Sequence, residues 1–305
     1  MKEKTTMKTN NVLAVSTLLI ASAVASAASA QNVAVHDRMR GELSPGTNAP
    51  TRETMVDTIN NGSATAVYTI LEYGEHVECA ACQPLLEAKL LESNDARVRE
   101  ISAWWLRRRP FGFGTVMHHM RTVLESDTDV VRRARAAEAI GEFMDAHGLP
   151  ALAAAAVNDT DANVRRAAVV AVARINSPNG NEVLSAAFAD TDAAVRRAAV
   201  EGVSRVNFFR AFDELLPLLA DADVAIRRTA ARTMGTYRYA GAVAPLAALL
   251  RSDTDPLVRQ SAAWALGRIG GGEAISALSE VASTESVSTV RDAIAVARQM
   301  ANAAR

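Results

Sequence analysis

The sequence predicts an all-α solenoid of about seven helix pairs, and three observations predict it. First, one phrase recurs: NDTDANVRRAAVVAVARI at 158–175, ADTDAAVRRAAVEGVSRV at 189–206 and SDTDPLVRQSAAWALGRI at 252–269. A fixed period of this length is the mark of stacked repeats. Second, the aspartates Asp129, Asp161, Asp192, Asp223 and Asp255 and the arginines Arg133, Arg165, Arg196, Arg227 and Arg259 both step by 31 or 32 residues, and Arg291 extends the arginine series. A degenerate copy at 93–108 sets Asp95 and Arg99 34 residues further upstream, leaving room for a small insertion. Third, apolar residues fall at helical spacing in every unit, and no stretch reads as a strand.

Taken in chain order, residues 1–30 form a separate segment. Lys2, Lys4 and Lys8 precede an apolar run from Val12, and Ala28-Ser29-Ala30 close it. This is the layout of a cleavable secretory signal peptide, cut after Ala30. The run is too short and too rich in alanine and serine for a membrane span, which needs about 20 strongly apolar residues. The expected mature protein is therefore periplasmic or secreted. Cleavage moves the formal charge from −1 to −3, and 29 arginines then face a single lysine, Lys89. Such a skew fits a genomic base bias. Residues 31–50 carry Gly41, Pro45, Gly46 and Pro50 without apolar period and read as a flexible leader.

Residues 51–83 read as an N-terminal helical cap, with two helices over 51–73 followed by Cys79-Ala80-Ala81-Cys82. In an oxidising compartment this cysteine pair is expected to close a local disulfide. Pro84 and PLLEAKLL announce a helix just downstream, whose positive end would lower a thiol pKa, so redox exchange is an open alternative. Haem attachment wants histidine after the second cysteine, and Gln83 stands there. His76, Glu78, Cys79 and Cys82 are only a weak metal signal. No metal and no cofactor is assigned.

Residues 84–305 are read as the solenoid. In 241–269, Val243, Leu246, Leu249 and Leu250 form the stripe of a first helix, and Val258, Ala262, Leu266 and Ile269 that of a second. Asp255 lies just before the second helix, where its oxygen can accept from unpaired amides, so the repeating aspartates are helix caps first. Small residues such as Ala262, Ala263 and Ala265 allow close stacking. At this point the chain resembles the HEAT-repeat family, in the short subtype named after phycobilisome lyases, with units of the form D-x-x-V-R-x-x-A-x-x-A-L-G. The resemblance covers residues 84–300 and implies a right-handed α-solenoid. It also implies a ladder between repeats, carried over as Asp129 with Arg133, Asp161 with Arg165, Asp192 with Arg196, Asp223 with Arg227 and Asp255 with Arg259. Val287 stands where the last aspartate is expected, as in a terminal repeat.

The resemblance further implies that the second helices line a concave face. Counting two, six and ten residues past each valine position gives Glu100, Trp104 and Arg108; Ala134, Glu138 and Glu142; Arg166, Val170 and Arg174. The count continues with Arg197, Glu201 and Arg205; Arg228, Arg232 and Thr236; Gln260, Trp264 and Arg268. Seven arginines share the middle of this stripe with Glu201, in a chain that is slightly acidic overall. Segregation of this kind favours an anionic partner. Trp104 and Trp264 are candidate anchors. The alternative is a solvated face in an arginine-rich chain.

A loop at Arg107-Arg108-Arg109-Pro110-Phe111-Gly112-Phe113-Gly114 falls where the repeat lengthens. Three cations beside Phe111 and Phe113 suit an acidic peptide, and an ordinary loop with its phenylalanines in the core is the alternative. None of the five histidines precedes a glutamate, so the His-Glu iron pattern of deoxyhypusine hydroxylase, a HEAT-repeat enzyme, is absent. His118 and His119 point about 100° apart on a helix. No nucleophile-base-acid set is visible. The expected function is an exported, non-catalytic scaffold for an acidic or anionic protein partner, bound through the basic groove. Nucleic acid is excluded as a partner outside the cytoplasm. The alternative function is an accessory to periplasmic redox or cytochrome proteins working through Cys79 and Cys82.

Overall fold

The computed structural model describes residues 49–109, 112–207 and 209–303. The expected signal peptide and most of the expected leader, with Pro110 and Phe111, lie outside the described residues. The chain divides into two compact units between Cys82 and Gln83.

The first unit holds two helices, α1 (Arg52–Asn61) and α2 (Ala64–Tyr73). Thr51 and Ser63 cap them, accepting from the amides of Thr54 and Ala66 at 3.2 and 3.3 Å. Met55, Ile59, Val67, Ile70 and Leu71 recur at helical spacing and are buried.

From Gln83 on, helices pair in sequence: α3 (Cys82–Glu92) with α4 (Ala96–Leu106), α5 (Phe113–Ser126) with α6 (Val130–Phe143) and α7 (Leu149–Asn158) with α8 (Ala162–Ile175). The series goes on with α9 (Asn181–Ala187) and α10 (Ala193–Val203), then α11 (Phe212–Leu215), prolonged by a 3-10 turn, and α12 (Val224–Thr236). It ends with α13 (Val243–Ser252) and α14 (Pro256–Ile269), then α15 (Gly271–Ala282) and α16 (Ser288–Ala303). Seven pairs and no strand are present among the described residues.

The repeating aspartates sit at the N-caps of the second helices. Asp129, Asp161, Asp192, Asp223 and Asp255 each accept from the amide two residues on, at 2.7–2.8 Å. Four orphan amides open every helix, so a capping oxygen here fixes where each second helix begins. Val164, Val195, Ile226 and Val258, three residues after a cap, are fully buried between helices.

Second helices stack directly on the next second helix, α6 on α8 and so on to α14 on α16. Glycine makes several of these contacts close. A Cβ at Gly235 would lie 2.7 Å from the Ala265 Cα, and one at Gly267 2.7 Å from the Ala297 Cα. Each repeat thus buries its faces on the following one, the nearest-neighbour logic of a solenoid. The α10–α12 junction is looser. Around it an aromatic cluster fills space: Phe188 and Phe209, Phe209 and Phe212, and Phe212 and Tyr237 have ring centroids 6.0, 5.2 and 4.9 Å apart.

Candidate functional site: a stripe of arginines on the second helices

Two arginines stand side by side at the start of several second helices, and a residue step of 100° sends them in different directions. One arginine of each doublet builds the ladder, Arg133 in Arg132-Arg133 and the first arginine in the others, with partners that differ from the expected ones. Arg133 donates bidentately to Asp159, Nε to Oδ2 at 2.8 Å and Nη2 to Oδ1 at 3.0 Å. Arg165 does so to Asp190, Arg196 to Asp221, Arg227 to Asp253 and Arg259 to Glu285, with Nε–O distances of 2.6–2.8 Å. Every rung therefore runs to the acid two residues before the next repeat's cap, not to the cap aspartate four residues before the arginine. Asp129, Asp161, Asp192, Asp223 and Asp255 accept instead from the amides of their own helices. Each ladder arginine also donates Nη1 to carbonyls of its own turn, as Arg227 does to Asp221 and Ala222 at 2.8 and 3.2 Å. The D-x-D spacing that marks Asp159, Asp190, Asp221 and Asp253 was in the sequence, and it is the signal the cap-based pairing passed over.

Burial and pairing compete at these acids. Burial pushes the Asp159, Asp190 and Asp253 carboxyls up, but their arginines and the amide two residues on outweigh it and leave them below the usual aspartate range. At Asp221 and Glu285 the arginine is the larger influence, and the shift is again downward. The ladder skips the first junction. Arg99 donates to Glu138 at 3.0 and 3.2 Å, while Asp127 is taken by Arg132 at 2.8 Å.

In Arg165-Arg166, Arg196-Arg197 and Arg227-Arg228 the second arginine falls on the stripe. The counted positions do come together: Glu100, Glu138, Glu142, Val170 and Arg174 line one cavity of about 250 Å³. Glu201, Arg228, Arg232, Thr236 and Gln260 line another of about 550 Å³. The stripe is not uniformly basic, however. Arg174 is ion-paired with Glu142, and Arg197 with Asp223, Nη2 to Oδ2 at 2.6 Å. Arg166, Arg205, Arg228, Arg232 and Arg268 have no carboxylate partner among the described residues. Trp264 lies between two of these, with the Arg232 and Arg268 guanidinium carbons 6.0 and 5.9 Å from its ring centroid. The free positive charge is thus concentrated on α12 and α14.

Trp104 sits at the opposite, acidic end, with the Arg108 guanidinium stacked on its ring at 4.0 Å. Three side chains of the 107–114 segment, Arg107, Arg109 and Phe113, pack against the fold. Arg107 donates to the Glu142 carbonyl at 2.8 Å. Arg109 is 7% exposed and lies over the Trp105 ring at 3.7 Å. Phe113 packs edge-on against Phe143 at 5.2 Å. Arg107, Arg109 and Phe113 therefore serve the fold, because the insertion must cover Trp105 and the α6 core face. Phe111 lies outside the described residues.

Cys79 and Cys82 place their sulfurs 2.08 Å apart, and the Cys82 amide points at the Cys79 Sγ at 3.2 Å. Both residues are buried, at 3% and 0% exposure. Among the described residues no cluster of three or more His, Cys, Asp or Glu is placed to hold a metal ion, and no helix is long and apolar enough to cross a membrane.

HEAT repeats, as a family, match residues 117–204 and 212–298. No curated protein matches the chain. The X-ray structure of YibA from Escherichia coli shares 15% sequence identity over 83% of this chain and 93% of its own, with a TM-score of 0.55. Human deoxyhypusine hydroxylase in complex with glycerol shares 20% over 83% of this chain and 96% of its own, with a TM-score of 0.37. The CpcE–CpcF complex of phycocyanin lyase from Nostoc sp. shares 19% over 86% and 99%, with a TM-score of 0.35. The first likeness is one of fold, and the other two are too distant to carry an argument about this chain.

Proposed function

The chain belongs to the HEAT-repeat family, and from that premise we propose that it is an exported, non-catalytic scaffold that holds an acidic protein partner against the stripe on α12 and α14. One observation carries the reading: five stripe arginines lack a carboxylate partner, while the ladder arginines Arg133, Arg165, Arg196, Arg227 and Arg259 beside the stripe each hold one. Guanidinium groups left unpaired beside a tryptophan are what an anionic partner would use at the centre of an interface. Export rests on the N-terminal residues, whose lysines, apolar run and Ala-Ser-Ala end suit a secreted precursor.

Burial of both cysteines weighs against the redox-accessory alternative. Thiol–disulfide exchange needs an incoming thiolate to reach a sulfur, and access governs its rate. A disulfide between Cys79 and Cys82 is proposed instead as a staple of the first unit.

The test is partner retention from a periplasmic extract. Arg228→Glu with Arg232→Glu should lose a partner that the unaltered chain keeps, while Arg251→Glu, exposed and away from the stripe, keeps it. Arg197 is a poor probe, since reversal there also breaks its pair with the α12 cap. Equal retention by both variants would sink the scaffold reading for this face.

A further inference from the structure

We infer that the cavity between α10, α12 and α14 receives one carboxylate side chain of an acidic protein segment, bridged by Arg228 and Arg232. The inference rests on the scaffold reading above and goes further by naming what enters the cavity. Arg228 and Arg232 are one helical turn apart on α12, close enough for both guanidiniums to reach a single anion. Both are exposed and lack a carboxylate partner among the described residues. Most other polar groups of the lining are already committed as donors. Thr229 donates to the Ala225 carbonyl at 2.8 Å, Ser261 to Leu257 at 2.8 Å, Tyr237 to Val203 at 2.9 Å and Gln260 to Thr289 at 2.8 Å. An anion in this cavity is therefore met by the two arginines.

Glu201 decides the class of anion. It lines the same cavity, so two guanidiniums against one carboxylate leave a single net positive charge. A monoanion is matched by that charge, whereas a phosphate dianion or a polyphosphate backbone brings its second charge toward Glu201. A volume of about 550 Å³ accommodates an acidic side chain with its flanking backbone. Beyond the rim, the Trp264 ring offers apolar surface to the neighbouring residue of an extended segment.

The experiment is calorimetric titration of the full chain at low salt with acetyl-pentaglutamate-amide and, separately, inorganic phosphate. The variants are Arg228→Gln, Arg232→Gln, their double and Glu201→Gln. All are exposed positions, and circular dichroism verifies the helices. A carboxylate shared by both arginines predicts that each single variant weakens the peptide about tenfold and that the double falls well short of the product, because partners of one group are not additive. Glu201→Gln should strengthen phosphate binding more than peptide binding. A multiplicative double overturns the shared carboxylate. Phosphate bound by the unaltered chain as tightly as the peptide, on the same arginines, overturns the monoanion assignment. Peptide binding that ignores both arginines, or no peptide binding at all, overturns the cavity assignment. In those cases the scaffold reading survives only if the retention experiment still separates the charge-reversed chain from the unaltered one.

Discussion

Removing one rung of the ladder should cost far more than removing an exposed ion pair of the same chemistry, and Arg227 with Asp253 is the pair on which to measure it. The side chains are 13% and 4% exposed. Arg227 makes two bonds to the carboxylate, at 2.6 and 3.1 Å, and two to the carbonyls of Asp221 and Ala222. Arg227→Met retains much of the aliphatic stem and strands Asp253 with the Asp255 amide at 2.9 Å as its remaining partner. Breaking a fully buried pair from one side costs about 3–5 kcal/mol, and an exposed pair contributes about 0–1 kcal/mol. The rung is nearly but not wholly buried, so a loss of about 2–3 kcal/mol is expected. In a unit of this size that lowers Tm by roughly 4–12 °C. Arg251 with Glu280, exposed at 44% and 59%, is the internal control, with a much smaller loss expected because solvent screens the pair. The assay is a double-mutant cycle in each pair, read by urea unfolding and by hydrogen exchange of α12 and α14, since a repeat array need not unfold in one step. Coupling in the 227/253 cycle no larger than in the 251/280 cycle would refute the ladder as a source of cohesion.

The remaining predictions use other parts of the same architecture. The ladder carboxyls are held below their unfolded values, so their stabilisation is complete above the unfolded aspartate range near about 4 and is lost as pH falls through the folded values. Tm should be flat from neutral pH down to about 5 and then drop, less steeply in Asp253→Asn, and a drop beginning above pH 6 would contradict this. Gly235→Ala should destabilise by about 1–3 kcal/mol although alanine favours helix, because the new Cβ meets Ala265 and Trp264 at 2.7 Å. Gly114→Ala, with nothing within 4 Å, should be neutral or stabilising, and equal effects at the two glycines would show that packing is not the cause. Thiol labelling after mild reductant should reach Cys79 and Cys82 only under partial denaturation, and rapid labelling of the native chain would restore the redox-accessory reading.

What the sequence made legible follows from what repetition encodes. Period, cap and buried valine recur in register, so helix pairs and their starts could be read from Asp129, Asp161, Asp192, Asp223 and Asp255 alone. The ladder could not be read from those residues, because a cap and a rung both ask for an acid, and only three-dimensional stacking shows that the acid at D-x-D position one reaches the preceding arginine. The stripe was legible as a direction and not as a charge distribution. Glu142 and Asp223 neutralise Arg174 and Arg197 across repeat boundaries, a pairing with no sequence periodicity. Arg107 and Arg109 looked available for the same reason: nothing in the order of residues says that Trp105 lies beneath Arg109.

The arginine doublets supply the sharpest separation of structure from composition. If arginine is present only because the genome favours it over lysine, lysine should serve equally at both positions of Arg165-Arg166. The geometry says otherwise. Arg165 spends Nε and Nη2 on Asp190 at 2.7 and 2.9 Å and Nη1 on the carbonyls of Asp159 and Thr160, a planar fork that an ammonium cannot reproduce. Arg166 makes no such set of bonds. Arg165→Lys should therefore cost about 1–2 kcal/mol, while Arg166→Lys stays within about 0.5 kcal/mol. Equal tolerance at the two positions, measured by urea midpoint at constant slope, would mean that the guanidinium fork contributes nothing and that arginine abundance here is compositional. Unequal tolerance with the first position sensitive would show that Arg165 is required for cohesion, leaving Arg166 chemically free for a partner.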